Sequence, residues 1–190
     1  MHPDPALEDE ALIARALEGD GPAFRVLVER YEGQVAATVI GMVGRGADAD
    51  DIGQETFVRF YHSLDRFRGD ASVGTYLTRI AINQCLQHLR RRRSWTRRFV
   101  GESDLEAALP DRAEDAVPAL EDGERSALVH RAVRALPAKH RSVVVLRMLR
   151  ELSTNETAEV LGVPPGTVMS RLSRALASLR APLAALEAEP

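Results

Sequence analysis

The sequence is poor in cysteine, in aromatic residues and in long apolar runs. Its 190 residues include a single cysteine, Cys85, which excludes a disulfide within the chain and a cysteine-rich zinc site. Aromatic residues make up only 5%, which favours helices packed through Ala, Leu and Val. No stretch approaches the roughly 18 apolar residues of a membrane span, and the N-terminus, MHPDPALEDE, is acidic where a secretory signal would be basic and then apolar. We therefore expect a cytoplasmic protein without membrane insertion.

Charge is nearly balanced overall but strongly segregated along the chain. The net charge is −3, from 25 basic and 28 acidic residues. Residues 1–98 are neutral, residues 99–124 carry a net charge of −8, residues 125–181 carry +7 and residues 182–190 carry −2. Residues 87–98 contain six arginines and no acidic residue. Two basic segments on either side of an acidic one are typical of a protein that binds nucleic acid at two separate places.

Four amphipathic helices are predicted in the first half. A short one over residues 6–18 ends at Gly19, and Asp20, Asp48 and Ser72 are the candidate N-caps of the next three. The second helix has apolar residues at spacings of three and four, namely Phe24, Leu27, Val28, Tyr31, Val35, Val39 and Met42. Such a stripe predicts a buried face, so the first half is expected to form a helical bundle.

The second half is predicted to contain a helix over about residues 138–150, followed by a helix-turn-helix. Ser153 and Glu156 have the spacing of a capping box, Gly162 can end that short helix, and Pro165 suits the first turn of the next. The inward residues of this last helix are predicted to be Val168, Leu172, Leu176 and Leu179. Its outward residues are then Thr167, Ser170, Arg171 and Arg174, a polar and basic face that suits a DNA major groove.

Three motifs resemble the extracytoplasmic-function (ECF) class of bacterial sigma factors. They are DADDIGQETFVRFYHSLDRFRG (48–69), TYLTRIAINQCLQHLRRRR (75–93) and LSTNETAEVLGVPPGTVMSRLSRA (152–175), in the order of that family. The resemblance implies a non-enzymatic initiation subunit, without cofactor or metal, that binds core RNA polymerase through its β′ clamp and β subunits. It further implies that the protein reads the −35 element as duplex DNA and that it melts and captures the −10 element. Members are usually held inactive by an anti-sigma protein, which is therefore an implied partner.

The same resemblance implies an all-α fold with two small helical domains. A domain similar to sigma region two is expected over residues 1–98, and one similar to region four, with the helix-turn-helix, over residues 124–190. Residues 99–123, which are acidic and contain two prolines, are expected to link them.

Three groups of site residues follow from matching this sequence to the family motifs. The polymerase-clamp group is Asp50, Asp51, Gln54, Glu55 and Arg59. The −10 group is Phe67, Arg68, Gly69, Asp70, Ala71, Ser72, Tyr76, Arg79, Asn83, Arg90 and Arg91. The −35 group is Thr167, Met169, Ser170, Arg171, Ser173 and Arg174. The sequence departs from the family at Gly53, usually a larger apolar residue, at Tyr76, commonly Trp, and at Met169, often Lys or Arg.

Two other classes of function stay open at this point. A repressor or activator would use the helix-turn-helix alone and the first half for ligand sensing and dimerisation, and it would bind duplex DNA without polymerase. An enzyme would need either a metal held by Asp51, Glu55 and His62 or a nucleophilic Cys85 with His88 nearby. Cys85 lies on an apolar stripe, however, where a buried, unreactive thiol is expected.

Overall fold

Within residues 5–99 and 121–187, the part of the chain that the computed structural model describes, all regular secondary structure is helical. In chain order the helices are α1 (Pro5–Leu17), α2 (Gly21–Val43), α3 (Ala47–Tyr61), α4 (Val73–Phe99), α5 (Glu121–Ala135), α6 (Ala138–Val144), α7 (Thr154–Leu161) and α8 (Pro165–Glu187). A 3₁₀ turn over Leu64–Arg66 and a π turn over Val145–Leu149 lie between them. The predicted all-α fold class is confirmed.

The predicted acidic linker lies mostly outside the described residues. The helices on either side extend into its expected range of 99–123, because α4 still includes Phe99 and α5 already begins at Glu121. The domain boundaries themselves stay a prediction.

Helix α2 lies at the centre of the first half. It begins as predicted at Asp20, whose carboxylate accepts a hydrogen bond from the backbone N–H of Ala23 at 3.1 Å. The inward side chains of its predicted stripe are almost completely buried, with Leu27, Val35, Val39 and Met42 at most 1% exposed. Helices α1, α3 and α4 all pack against it. The apolar period of the sequence therefore predicted this core correctly.

Polar contacts hold α1 and α4 onto α2. The buried Asp9 carboxylate of α1 accepts hydrogen bonds from Arg30, at 2.7 Å, and from the hydroxyl of Tyr31. Burial raises the pKa of Tyr31 well above its usual value, and the Asp9 carboxylate raises it further. One turn further along α2, the Gln34 amide donates to the carbonyl of Gly74 at 2.8 Å. Together with the apolar contacts, these hydrogen bonds fix the positions of α1 and α4 along α2.

The prediction that Asp48 caps α3 is wrong. The helix begins at Ala47, directly after Gly46, and no side chain caps it. Gly46 has a φ of +129°, a conformation that glycine adopts easily. The helix can therefore begin directly after Gly46, one residue before Asp48. Asp48 instead faces α4, with its carboxylate 3.4 Å from Nε2 of His88.

The helix predicted over residues 138–150 is divided into two parts. Helix α6 ends at Val144 and continues into the π turn, in which the N–H of Arg150 bonds to the carbonyl of Val145 at 2.9 Å, five residues back. Such wider turns are uncommon inside helices and often mark functional positions.

The two halves share one hydrophobic core. Met42 and Cys85 from the first half belong to the same buried cluster as Val145 and Leu146 from the second. Helix α2 contacts α5 and the π turn, and α4 contacts α6 and α7. The described parts of the chain are therefore packed directly on one another.

The predicted helix-turn-helix is present. The hydroxyl of Ser153 accepts the N–H of Glu156 at 3.2 Å, and the Glu156 carboxylate accepts the N–H of Ser153 at 2.7 Å. Hydrogen bonding to the Glu156 carboxylate from the Ser153 side chain, and from the Ser153 backbone N–H, lowers the pKa of Glu156. Helix α7 ends at Gly162, which has a φ of +61°, and α8 begins at Pro165. Both caps of α7 thus agree with the sequence analysis.

The predicted inward face of α8 is correct except at Leu176. Leu176 is 42% exposed, whereas the neighbouring Ala175 is completely buried together with Val168. In a helix of 3.6 residues per turn, Ala175, seven positions after Val168, points in almost the same direction as Val168. Leu176, eight positions after Val168, is turned well away from that direction. The buried face therefore follows Val168, Leu172, Ala175 and Leu179.

This orientation of α8 predicts losses of stability that differ in size at two adjacent positions. We expect Ala175→Leu to overpack the core and to lower the free energy of unfolding by about 1–3 kcal/mol. Leu176→Ala should cost less than about 1 kcal/mol, because that side chain is partly solvated already. Urea denaturation followed by circular dichroism measures both, and a larger loss for Leu176→Ala would contradict the orientation.

Candidate functional site

The five residues of the predicted clamp group lie on the solvent side of α3. Its opposite side is buried through Ile52, Thr56 and Phe60. Within the group, Nε of Arg59 lies 2.7 Å from the Glu55 carboxylate one turn earlier. The face therefore combines three carboxylates with one guanidinium, so it is net negative and largely solvated. No atom of another part of the fold lies within 4 Å of the Cβ position at Gly53.

The predicted −10 loop divides into a buried end and an exposed tip. The ring of Phe67 packs against Tyr76 at 5.4 Å and against Phe60 at 6.5 Å, so Phe67 and Tyr76 belong to an aromatic cluster. Arg68, Gly69, Asp70 and Ser72 are exposed, and Ala71 is partly buried. Gly69 has a φ of +73°, and Ser72 begins α4 as predicted by accepting the N–H of Thr75 at 3.2 Å.

The outer face of α4 carries the remaining −10 candidates. Arg79, Asn83, Arg90 and Arg91 are all exposed, as the sequence pattern predicted. Nε of Arg90 donates to the carbonyl of Leu86 at 3.1 Å. The face thus presents the Asn83 amide, with donors and an acceptor, among several cations.

A groove of about 380 Å³ between α3 and α4 joins the clamp group to the −10 group. It is lined by Glu55, Val58, Arg59, His62, Ser63, Tyr76, Ile80, Asn83 and Gln84. Five lining residues were not in the predicted clamp or −10 groups, namely Val58, His62, Ser63, Ile80 and Gln84. The only signal in the sequence is their position, one helical turn from or next to a predicted site residue.

The −35 group lies along one side of α8, away from the buried face. Ser170, Ser173 and Arg174 are exposed, and Thr167 and Arg171 are partly exposed. Met169 is 54% exposed, and its sulfur accepts a hydrogen bond from the hydroxyl of Thr154 at 3.7 Å. Met169 is therefore a surface residue, as expected for a position that faces DNA.

Helix α6 adds positive charge beside this face, which the sequence analysis did not predict. Burial lowers the pKa of His140 below its usual value, and the charges of Lys139, Arg174 and Arg171 lower it further. Helices α6 and α8 pack against each other, and His140 on α6 lies within electrostatic reach of both arginines of α8. Cations from two helices thus form one positive surface.

Two family models match the chain, and together they include nearly all of the candidate residues. Sigma-70 region 2 matches residues 27–95 and Sigma-70 region 4 matches residues 126–179. The ECF RNA polymerase sigma-E factor of Escherichia coli K12 is 36% identical over 178 residues, which cover 89% of this chain and 91% of that protein. The chain is a sigma factor of the ECF class.

Other relatives agree with this assignment. The RNA polymerase sigma-H factor of Pseudomonas aeruginosa is 34% identical, with 88% of this chain and 90% of that protein covered. The structure of CnrH, solved in complex with the cytosolic domain of CnrY, superimposes with a TM-score of 0.66 at 29% identity and covers 94% of this chain and 98% of CnrH. The two sigma-70 regions match the two predicted domains.

Membership in this family establishes the activity. ECF sigma factors bind core RNA polymerase and direct it to promoter DNA, so this protein directs promoter-specific transcription. Its relatives are transcription initiation factors, a family not known as enzymes. Within residues 5–99 and 121–187, none of the helices combines the length and apolar character needed to span a bilayer.

The side chains considered for an enzymatic role of this sigma factor are not arranged for one. Cys85 is completely buried, and burial raises the pKa of its thiol to about 12 although the charge of Arg141 opposes the shift. Among the described residues, no three His, Cys, Asp or Glu side chains come close enough together to hold a metal ion. Asp51, Glu55 and His62 therefore do not form a metal site in this structure.

We expect the single thiol to be unreactive in the folded protein. At pH 8 a group with a pKa of about 12 is ionised in roughly one molecule in ten thousand, and burial also keeps reagents out. Ellman's reagent should therefore label native Cys85 on the order of a hundredfold more slowly than the same thiol in guanidinium chloride. Equal labelling rates for folded and unfolded protein would contradict the burial.

Proposed function

We propose that the three groups of residues described above have separate roles in this ECF sigma factor. The clamp group on α3 binds the polymerase β′ subunit, the −10 loop and α4 hold the melted strand, and α8 reads the −35 element. The observation that carries this proposal is the groove between α3 and α4, because it places the clamp and −10 candidates side by side. The protein acts without catalysis or cofactor, and it acts in the cytoplasm, where polymerase and promoter DNA are found.

The solvent face of α3 suits a basic or mixed-charge helical partner. Three carboxylates and one guanidinium lie within about three turns, and the exposed Val58 adds apolar surface beside them. Electrostatic complementarity across such a face fixes the orientation of the partner and excludes partners of the wrong charge. We therefore assign it to the clamp of β′.

Reversing two charges on this face should prevent polymerase binding. Asp51→Arg combined with Glu55→Arg replaces attraction by repulsion and should cost several kcal/mol of binding free energy, on the order of 3. Both positions are solvated, so the fold should persist. The matched control is Glu29→Arg with Glu32→Arg, which makes the same change in charge on the exposed side of α2. Unchanged β′ pull-down by the folded clamp variant would refute the assignment.

The outer face of α4 and the adjacent loop suit an unstacked single strand. A flipped base needs hydrogen-bond partners and an aromatic or apolar wall, and the backbone needs cations. Asn83 supplies an amide, Tyr76 and Ile80 supply the wall of the groove, and Arg79 supplies positive charge. Those contacts become available to a base only after it leaves the duplex.

We expect Asn83→Ala to impair promoter opening more than formation of the closed complex. Loss of one good base contact should cost about 1–3 kcal/mol at the melting step. Permanganate reactivity of thymines in the opened strand reports melting, and a gel-shift assay reports the closed complex. Gln87→Ala, one turn further along the same face, is the matched control. A normal opening signal from Asn83→Ala would contradict this role.

Helix α8 has the dimensions and surface of a recognition helix. Near its N-terminus it presents Thr167 and Ser170, which are short and polar, beside the exposed Met169, and Arg171 and Arg174 follow within the next turn. The buried face through Val168 and Ala175 directs Ser170 and Arg174 to the outer side. Arg174 is therefore assigned to a base edge and the partly buried Arg171 to the backbone.

The two arginines should respond differently when replaced by alanine. Arg174→Ala should cost about 1–3 kcal/mol and relax the preference at one base position of the −35 element. Arg171→Ala should weaken all promoters alike and reduce the salt slope by about one unit. Arg180→Ala removes the same charge further along α8 and is the control. Promoter-library binding at several salt concentrations measures these effects, and identical profiles for both variants would contradict the assignment.

The whole proposal is tested by in vitro transcription with bacterial core polymerase over a promoter library. A sigma factor supports specific initiation only in the presence of core enzyme, whereas a repressor of the helix-turn-helix type binds its duplex site alone. An anti-sigma partner is also part of the proposal. CnrH was solved with a bound protein, the cytosolic domain of CnrY, and this chain has the same fold along its length.

A further inference from the structure

The first turn of α4 is hydrogen-bonded to a side chain of α2. Nε2 of Gln34 donates to the carbonyl of Gly74 at 2.8 Å and to the hydroxyl of Thr78 at 2.9 Å. The hydroxyl of Thr78 donates in turn to the carbonyl of Gly74 at 2.8 Å. Gly74 and Thr78 are both buried. The amide, the carbonyl and the hydroxyl therefore form a closed hydrogen-bond triangle inside the first half of the chain.

Only a glycine at position 74 allows α2 and α4 to approach this closely. The Cβ position at Gly74 lies 2.9 Å from Nε2 and 3.1 Å from Oε1 of Gln34, and 3.2 Å from a ring carbon of Tyr31. Real Cβ atoms essentially never lie within 3.0 Å of another heavy atom in this way. Tyr31 is itself fixed, because its hydroxyl donates to the buried Asp9 of α1. A side chain at position 74 would therefore displace the Gln34 amide.

The hydrogen-bond triangle fixes one end of the predicted −10 loop. The other end is fixed at Phe67, whose ring packs against Tyr76 and Phe60. Residues 68–72 form the tip between these two points, and most of them are exposed. A short segment that is held at both ends loses less conformational freedom when it binds a ligand. The loop is thus ordered by its own fold before it meets DNA.

Apolar burial alone does not define the position of this turn. Val73 and Leu77 are almost completely buried and hold α4 against the core. Apolar burial is non-directional, however, whereas hydrogen bonds weaken steeply when they are misaligned. The triangle therefore sets the rotation and height of the first turn of α4. The directions of Tyr76 and Asn83, which both line the groove between α3 and α4, depend on that rotation.

We propose that Gln34 is a positioning residue for capture of the −10 element. Gln34 does not line the groove, so it acts through Gly74 and Thr78. A binding site discriminates among ligands only when the residues behind it hold it to within about 0.5 Å. Loosening the triangle should therefore weaken binding of the preferred base and leave binding of the other bases unchanged. This inference rests on the −10 role proposed above for α4.

Two substitutions break the triangle in different ways. Gln34→Met keeps an unbranched side chain of similar length but removes both donors. Gly74→Ala pushes away the Gln34 amide, which is the far end of a flexible side chain, so the cost to folding is small. Gly33→Ala is the matched control, because no atom of another part of the fold lies within 4 Å of its Cβ position. All three variants should keep the circular dichroism spectrum and a urea midpoint near that of the wild type.

Base discrimination by the holoenzyme measures the effect. Four fluorescent single strands carry the −10 element selected by the promoter library and differ in the base at its most strongly preferred position. Gln34→Met and Gly74→Ala should each weaken binding of the preferred strand by about fivefold or more and change binding of the least preferred strand by less than about twofold. Gly33→Ala should bind all four strands like the wild type. Because both substitutions remove one contact, the double variant should discriminate no worse than Gln34→Met.

The outcomes separate a positioning role from a general loss of stability. Equal weakening of all four strands, or unchanged discrimination, would overturn the role of Gln34. A wild-type holoenzyme without preference among the four strands would overturn the proposed −10 function and the positioning role with it. If the wild type discriminates, Asn83→Ala abolishes the preference and the Gln34 and Gly74 variants retain it, only the positioning role fails.

Hydrogen exchange tests the triangle in the free protein, without any assay of function. The N–H of Thr75 bonds to the hydroxyl of Ser72 at 3.2 Å, and the N–H of Tyr76 bonds to the carbonyl of Ser72 at 3.0 Å. Both amides should exchange about tenfold faster in Gln34→Met, because local opening of this turn then breaks fewer hydrogen bonds. Amides of α3 should exchange as in the wild type. Unchanged exchange at Thr75 and Tyr76 would overturn the proposal.

Discussion

Burial of one side of α2 is the interaction on which the rest of the structure depends. Leu27 and Val35 lie against the other helices of the first half, and Met42, near the end of α2, is in the cluster that also holds Val145. Each such side chain contributes about 1.5–3 kcal/mol when it is removed completely from water. This burial fixes the positions of α3 and α4. The clamp and −10 candidates on their outer faces therefore keep a fixed distance and orientation relative to each other.

The contact between the halves differs in kind from the core of the first half. Its centre includes the guanidinium of Arg141, which remains buried because three backbone carbonyls accept its hydrogen bonds. A buried charge that binds carbonyls adds less net stability than an aliphatic side chain of the same volume, because its desolvation offsets much of what it gains.

The sequence predicted what depends on near neighbours in the chain. Asp20 and Ser153 cap their helices as expected, because a cap is recognised within four residues. Asp48 and Leu176 were placed wrongly, because their positions depend on the glycine turn before α3 and on the accumulated rotation of α8. Val145 and Leu149 lie within 3.1–3.3 Å of the Cβ position at Gly41, and this close approach could not be predicted because the two residues are more than a hundred positions away in the chain.

The same distinction explains how much of the candidate site could be predicted. Exposure of Asn83 or Arg174 follows from helical period alone, and the structure agrees. The groove between α3 and α4 depends instead on how two separate helices pack, so Val58, His62 and Gln84 carried no signal of their own. A partner that enters this groove touches both helices at once, and it meets the Arg59–Glu55 ion pair at one edge and the Asn83 amide at the other. The clamp and −10 candidates therefore share one continuous surface, where a change in either helix alters the shape of the groove.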